Sequence, residues 1–166
     1  MDEQALPRAT AVKRSGEWRV AEACGTLTLD YDDRHRRRRR YTAEGGLAFL
    51  LDLPEAAVLR DGDGLALEGG GYVLVRAAPE PLVEVAAETP AQLARFAWHL
   101  GNRHLPTRIE AGRLLIRDDH VIVEMLRGLG AAVRRVSEPF DPEGGAYGEH
   151  NRQPSHPHGH HDHHHH

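Results

Sequence analysis

Histidine is concentrated near the C-terminal end of the sequence, and clustered imidazoles are good ligands for Ni²⁺, Cu²⁺ and Zn²⁺. The chain has 13 histidines, nine of them from position 150 onward. These nine candidate metal ligands are His150, His156, His158, His160, His161, His163, His164, His165 and His166. An expression tag is the alternative origin of such a run. The interruption by Asp162 and the sparse start at His150 favour a native metal-gathering tail, 149–166, disordered until it binds metal.

A second candidate ligand, His104, lies at the end of a predicted helix within the segment Trp98–Pro106. We expect His104 to continue the apolar stripe of that helix. On its own, a histidine in such a place is more often a core or helix-terminal residue than a ligand. A helix C-terminus also favours the imidazolium form, which competes with metal. The residues alone therefore leave both interpretations open.

A third candidate, His120, follows two carboxylates at the start of a second predicted helix. Carboxylate and imidazole together could form a weak metal site. Asp118 and Asp119 are also typical helix caps, and capping is the favoured interpretation. His99 and His35 are interpreted as surface or packing residues without a metal role.

The run Arg34–Arg40, with His35 inside it, is the strongest concentration of positive charge. It would place charge on both faces of a strand, so a solvated strand or loop is the first interpretation. A docking patch for an acidic protein surface is the second. A nucleic-acid patch is the third, because Tyr41 is the one aromatic residue nearby and three aspartates precede the run.

Several function classes are excluded by what the sequence lacks. There is no HExxH, P-loop, GxSxG or dinucleotide fingerprint, so we expect no enzyme activity. The single cysteine, Cys24, has no partner for a disulfide or a CxxC site and is interpreted as a small strand residue. The net charge of −4 argues against a nucleic-acid partner. No long apolar stretch or signal peptide is present, so we expect a cytoplasmic protein without a membrane partner.

The elements that would position these residues change character near the middle of the chain. Residues 18–75 read as β structure, with short runs separated by turn signals. The predicted runs are Trp18–Val20, Thr26–Leu29, Ala48–Leu53 and Tyr72–Arg76. Pro79 and Pro81 then favour an extended connector. We therefore predict a β-rich domain over 1–76 and a linker over 77–81.

The region 82–148 reads as a second domain with strands and helices in alternation. A strand over Leu82–Ala86 precedes a helix capped by Thr89, with Pro90 in its first turn, that runs to about His104. A hairpin of Thr107–Glu110 and Arg113–Arg117 follows, then a helix capped by Asp118 or Asp119, with Gly130 after it. Ala131–Val136 supplies a last strand. The predicted fold class is α+β, with a small all-β domain followed by a ferredoxin-like βαββαβ domain.

Several segments together resemble the UreE family of urease accessory proteins. They are Gly-Asn-Arg-His-Leu-Pro at 101–106, Asp-His-Val-Ile at 119–122, Pro-Phe-Asp-Pro-Glu-Gly-Gly-Ala-Tyr at 139–147 and the histidine-rich end. Upstream similarity continues through 49–54, 59–65 and 75–82, so the resemblance covers about 15–166. It departs at Arg117 and Asp118, where some family members have histidines.

The resemblance implies a nickel carrier that is a homodimer through its C-terminal domain, with an N-terminal domain like a chaperone peptide-binding module. In such a protein His104 meets its two-fold mate, and the pair binds Ni²⁺ as cargo with help from tail histidines such as His150 and His156. The implied partners are a urease-activation GTPase and the immature urease complex. Zn²⁺ and Cu²⁺ suit the same imidazoles. A nickel store dominated by its tail and a peptide- or RNA-binding module remain the rival interpretations.

Overall fold

Strands and two helices form an α+β structure in two halves in the computed structural model, which describes residues 6–144. The first half contains β1 (Arg8–Lys13), β2 (Ala23–Leu29), β3 (His35–Thr42), β4 (Ala48–Val58), β5 (Gly64–Leu67) and β6 (Tyr72–Ala77). The second half contains β7 (Pro79–Ala86), α1 (Pro90–Asn102), β8 (Arg108–Glu110), β9 (Arg113–Arg117), α2 (His120–Gly128) and β10 (Ala132–Pro139). The mixed, sheet-rich α+β class predicted from the sequence is confirmed.

The first half is a six-stranded sheet with the order β2-β6-β5-β1-β4-β3. Two strand pairs, β1 with β4 and β2 with β6, are parallel, and the others are antiparallel. Its inner face buries a core that includes Leu27, Tyr41, Phe49, Leu51, Leu65, Val73 and Val75. The apolar runs of the sequence therefore form this core because alternate residues of each strand face inward.

The predicted strand at Trp18–Val20 is wrong. Trp18 lies in a bend, and Val20 begins a short 3-10 helix. The Trp18 ring packs on Tyr72, with ring centroids 5.0 Å apart, and its indole N–H donates to the Gly62 carbonyl over 3.1 Å. Trp18 thus covers one side of the sheet with its side chain and is not itself part of a paired strand.

The second half is a four-stranded antiparallel sheet with the order β10-β7-β9-β8. Both helices pack on one face of it. Their shared core includes Val83, Val85, Phe96, Leu100, Leu114, Ile116, Ile122 and Leu126. Residues 6–144 contain no helix long and apolar enough to cross a membrane, the longest helix having 13 residues.

The connection between the halves is shorter than the predicted linker 77–81. Strand β6 continues through Ala77 and β7 begins at Pro79, which leaves Ala78 between them. Pro79 pairs with Pro139, a pair in which neither residue has an N–H to donate. Because backbone groups alternate along a strand, the nitrogens of Pro79 and Pro81 face the side of β7 that is nearer β9. Strand β9 pairs with β7 only from Leu82 onward, so both prolines precede that pairing. The prolines therefore interrupt no ladder hydrogen bond, and the strand continues through them.

A buried arginine joins the two halves. Arg34, in the turn between β2 and β3, is fully buried and donates to the Leu59 carbonyl over 2.9 Å and to the Phe140 carbonyl. Asp141 lies 3.5 Å from Arg34 and 2.8 Å from Arg60. We call Arg34, Arg60 and Asp141 the interdomain clasp. The expectation that the arginine run is solvated is therefore wrong for Arg34. Its guanidinium contacts main-chain carbonyls and one carboxylate in place of water.

A charged network covers part of the sheet face opposite the helices. Glu84 on β7 accepts hydrogen bonds from Arg134 over 2.9 and 3.1 Å and from Arg113 over 2.9 Å. Arg113 also donates to Glu138 over 2.6 and 2.7 Å. Hydrogen bonds from Arg134 and Arg113 lower the pKa of Glu84 from its ordinary 4.5 to about 2. The bond from Arg113 likewise lowers the pKa of Glu138.

The replacement Glu84→Gln is expected to destabilise the protein at neutral pH by roughly 1.5–3 kcal/mol, the range for hydrogen bonds to charged groups. Because the folded-state pKa of Glu84 is depressed, its stabilising effect is present above pH 4.5 and lost as pH falls toward about 2. As pH is lowered through this window, the urea concentration at the unfolding midpoint should fall less steeply for the variant than for wild type. Parallel declines would contradict the assignment.

Candidate metal site

Helix α1 carries the segment that leads to His104, and its start is as predicted. The Thr89 hydroxyl accepts a hydrogen bond from the Gln92 backbone N–H over 3.1 Å, and Pro90 occupies the first turn. The end differs from the prediction. The helix stops at Asn102 with Arg103 as its cap, so His104 lies beyond the helix.

His104 has a left-handed backbone conformation, with φ +56°, and is the one non-glycine residue of 6–144 with positive φ. Its N–H donates to the Gly101 carbonyl over 3.0 Å, and the Leu105 N–H donates to the Leu100 carbonyl over 3.2 Å. This pair of bonds is the Schellman motif, in which His104 takes the position that glycine usually occupies.

Helix α2 ends in the same way and provides an internal comparison. The Gly130 N–H donates to Arg127 over 2.9 Å, the Ala131 N–H donates to Leu126 over 3.0 Å, and Gly130 has φ +91°. A side chain in this conformation costs roughly 1–2 kcal/mol, which glycine avoids. The end of α1 thus carries a backbone strain that the end of α2 avoids, and a strained non-glycine residue is a candidate for a functional role.

The replacement His104→Gly is expected to raise the free energy of unfolding by about 1 kcal/mol, because glycine removes the left-handed strain but gains freedom in the unfolded chain. Guanidinium unfolding measures the change, and His104→Ala, which keeps a β-carbon, is the matched control without that gain. A glycine variant less stable than the alanine variant would contradict the strain argument.

The His104 side chain is exposed and lies on an open groove of about 420 Å³. The groove is lined by residues of both halves, including Tyr31, Ala97, Gly101, Pro106, Ile109 and Glu143. The prediction that His104 continues the apolar stripe of α1 is therefore wrong. Phe96 and Leu100 are fully buried, whereas the left-handed turn directs the chain away from the core at His104.

Two large apolar side chains are exposed on the elements that line this groove. Ile109, in the groove wall, is 45% exposed, and Trp98 on α1 is 63% exposed. The Trp98 ring stands edge-on to His99, with centroids 5.0 Å apart. Ala97 and Gly101 are small residues, so they leave part of the surface of α1 uncovered. Large apolar side chains left exposed in this way are candidates for contact with another protein surface.

Within residues 6–144, no group of three or more His, Cys, Asp or Glu side chains is close enough to hold a metal ion. His104 therefore offers one imidazole nitrogen. A stable site for a transition metal needs further donors, either from another copy of the chain or from residues outside 6–144.

His120 is the first residue of α2 and is exposed. The Asp119 carboxylate accepts hydrogen bonds from the backbone N–H groups of Val121 and Ile122 over 3.0 and 3.3 Å. Asp118 lies 3.3 Å from Arg135. Both carboxylates thus have structural partners, which confirms the capping interpretation of Asp119.

The nine tail histidines, from His150 to His166, lie outside the described residues. The end of the described chain is nevertheless informative, because Glu143 and Gly144 line the same groove as His104. The Glu143 N–H donates to the Thr107 carbonyl over 2.8 Å. Sequence reasoning missed this meeting of the segment at Glu143 with the residues after α1. No local pattern signals it, because Thr107 and Glu143 lie far apart in the sequence.

Two family models match the chain. The model described as the N-terminal domain of the UreE urease accessory protein matches residues 5–78, and the C-terminal domain model matches 80–166. The boundary between the two matched ranges falls at the short connection between β6 and β7.

Curated relatives are similar over most of the chain, and each is described as urease accessory protein UreE. The relative from Rhodopseudomonas palustris strain BisB18 is 56% identical, over 91% of this chain and 71% of its own length. That of Bradyrhizobium sp. strain BTAi1 is 58% identical, over 92% and 72%. That of Chelativorans sp. strain BNC1 is 50% identical, over 95% and 98%.

Proposed function

We propose that this chain, which belongs to the UreE family of urease accessory proteins, binds Ni²⁺ as cargo and delivers it for assembly of the urease active site. Family membership implies a role in urease maturation. The observation that supports nickel binding is the exposed imidazole of His104, held in a left-handed conformation at an apolar groove.

One imidazole cannot hold Ni²⁺ alone, so the site is proposed to form between two chains. In a two-fold dimer each residue near the axis meets its own copy, so one exposed histidine provides two ligands. The exposed Ile109 and Trp98 supply apolar area that a partner would cover. The second half, with strand and helix order β-α-β-β-α-β, is proposed as a ferredoxin-like metal-binding and dimerisation domain.

Two imidazoles leave nickel positions open, which water or tail histidines such as His150 and His156 complete in this proposal. The tail also collects metal. An open site with exchangeable outer ligands releases its ion more readily than a closed four-ligand site, as a carrier requires. Cu²⁺ and Zn²⁺ suit the same ligands, and Cu²⁺ generally binds nitrogen ligands more tightly.

The proposed recipients are a urease-activation GTPase and the immature urease complex in the cytoplasm. Transfer occurs by ligand exchange, so no chemical bond of a substrate is made or broken and no catalytic residue is assigned. His120 is retained as a weaker secondary ligand, consistent with the exposure of its side chain.

A nickel buffer is the second candidate function, and the histidine-rich end favours it. Deleting residues 149–166 separates the two. For a carrier, calorimetric titration of the shortened chain should retain one tight Ni²⁺ per two chains, with capacity reduced. For a buffer, tight binding should disappear with the tail. A shortened chain that is monomeric with Ni²⁺ in sedimentation experiments would contradict the shared site.

A further inference from the structure

Five consecutive arginines, Arg36–Arg40, lie on β3, the last strand at one side of the first sheet. We call them the arginine surface. We propose that the arginine surface is a docking site for an acidic polypeptide segment of a partner protein. The proposal goes beyond the nickel role and does not depend on it.

The arginine surface is open to solvent along its whole length. All five side chains are exposed, and β4 is the neighbouring strand to which β3 is paired. Tyr41, the next residue, is buried in the core. Because side chains alternate along a strand, the arginines project on both faces at this edge. A polypeptide lying along the edge can reach both sets.

The carboxylates nearby do not balance this charge. Asp33 lies 3.5 Å from Arg36 and 3.2 Å from Arg39. Asp52 lies 3.9 Å from Arg38 and also pairs with Arg8.

Within 6–144, Arg37 and Arg40 have no carboxylate partner. Five guanidinium groups thus share two carboxylates in a chain of net charge −4. Arginines at alternate positions share a face of the strand and repel one another, and carboxylates from a partner would relieve that repulsion with strong, often bidentate hydrogen bonds.

An acidic polypeptide fits this surface better than a nucleic acid does. Proteins that bind single strands offer aromatic rings for base stacking. Here the rings of β3 and β4, Tyr41 and Phe49, are buried, and the Arg39 guanidinium lies 5.4 Å from the Tyr41 ring centroid.

The test uses the full chain with a metal chelator at about pH 8, where ordinary histidines are neutral. Labelled poly-L-glutamate is titrated and followed by fluorescence anisotropy, with polyuridylate as the competing probe. The double variant Arg37→Glu/Arg40→Glu removes the two arginines without carboxylate partners. The control Arg19→Glu/Arg95→Glu makes the same charge change at two exposed arginines away from β3.

We expect the β3 double variant to weaken poly-L-glutamate binding at least about tenfold, since two attractive contacts become repulsive. The control should change the affinity less than about twofold. Equal losses in both variants would overturn the proposal, because net charge alone would explain binding. Tighter, β3-dependent binding of polyuridylate would identify a nucleic-acid surface instead. If the wild-type chain does not bind poly-L-glutamate and the β3 variant aggregates, the arginines serve to protect an exposed edge strand from aggregation. That result would overturn the proposal.

Discussion

Nickel affinity should fall more than about 100-fold when His104 is replaced by alanine in a chain lacking residues 149–166. Loss of a supporting residue around a metal ligand typically costs 10–100-fold, so loss of the ligand itself should exceed that range. In the proposed dimer one substitution removes both imidazoles, because each chain contributes the same residue. Removing the tail first is necessary, since its histidines would otherwise mask the loss. Isothermal titration with Ni²⁺ measures the affinity and the stoichiometry.

The matched control is His35→Ala, an exposed histidine of β3 to which no metal role is assigned. It lies in the first half of the structure and is not among the residues that line the His104 groove. The control should bind Ni²⁺ within about threefold of the shortened parent chain, well below the effect of losing a ligand. Unchanged affinity and stoichiometry in His104→Ala, with normal circular dichroism, would refute the assignment.

The replacement Arg34→Met is expected to destabilise the protein by about 3–5 kcal/mol, because two buried carbonyls lose their charged donor at a cost of about 1–3 kcal/mol each. The Leu59 and Phe140 carbonyls would lose their donor inside the structure, and Asp141 would keep Arg60 alone. For a chain of this size the melting temperature should fall by roughly 6–20 °C. Differential scanning calorimetry measures the shift.

Two further variants make this result specific. Arg34→Lys should recover only part of the stability, because one ammonium cannot reproduce the planar fork that reaches two carbonyls and a carboxylate. Arg37→Met, at an exposed position of the same arginine run, should change stability by less than about 0.5 kcal/mol. Equal melting temperatures for Arg34→Met and Arg37→Met would show that the interdomain clasp contributes nothing.

Local patterns predicted much of the fold because they report short-range physics. Thr89 and Pro90 mark the start of α1, and Gly130 follows α2 with the expected positive φ. The prediction failed where a distant partner decided the outcome. The segment Trp18–Val20 predicts a strand, but Trp18 packs on Tyr72 instead of joining one. Pro79 and Pro81 predict an extended connector, yet both lie within β7 because their nitrogens face its unpaired side.

The sequence by itself determined the α+β class and the membership of the UreE family, and the resemblance to that family implied His104 as the leading ligand of the proposed nickel site. Capping residues, apolar periodicity and imidazole chemistry are local properties that letters and spacing carry. Only the tertiary structure decided that His104 leaves the apolar stripe, that Arg34 is buried while its neighbours are exposed, and that Glu143 lies beside the helix end. These outcomes depend on which distant carbonyls and side chains meet, and burial and hydrogen bonding at such meetings are not encoded at any single position.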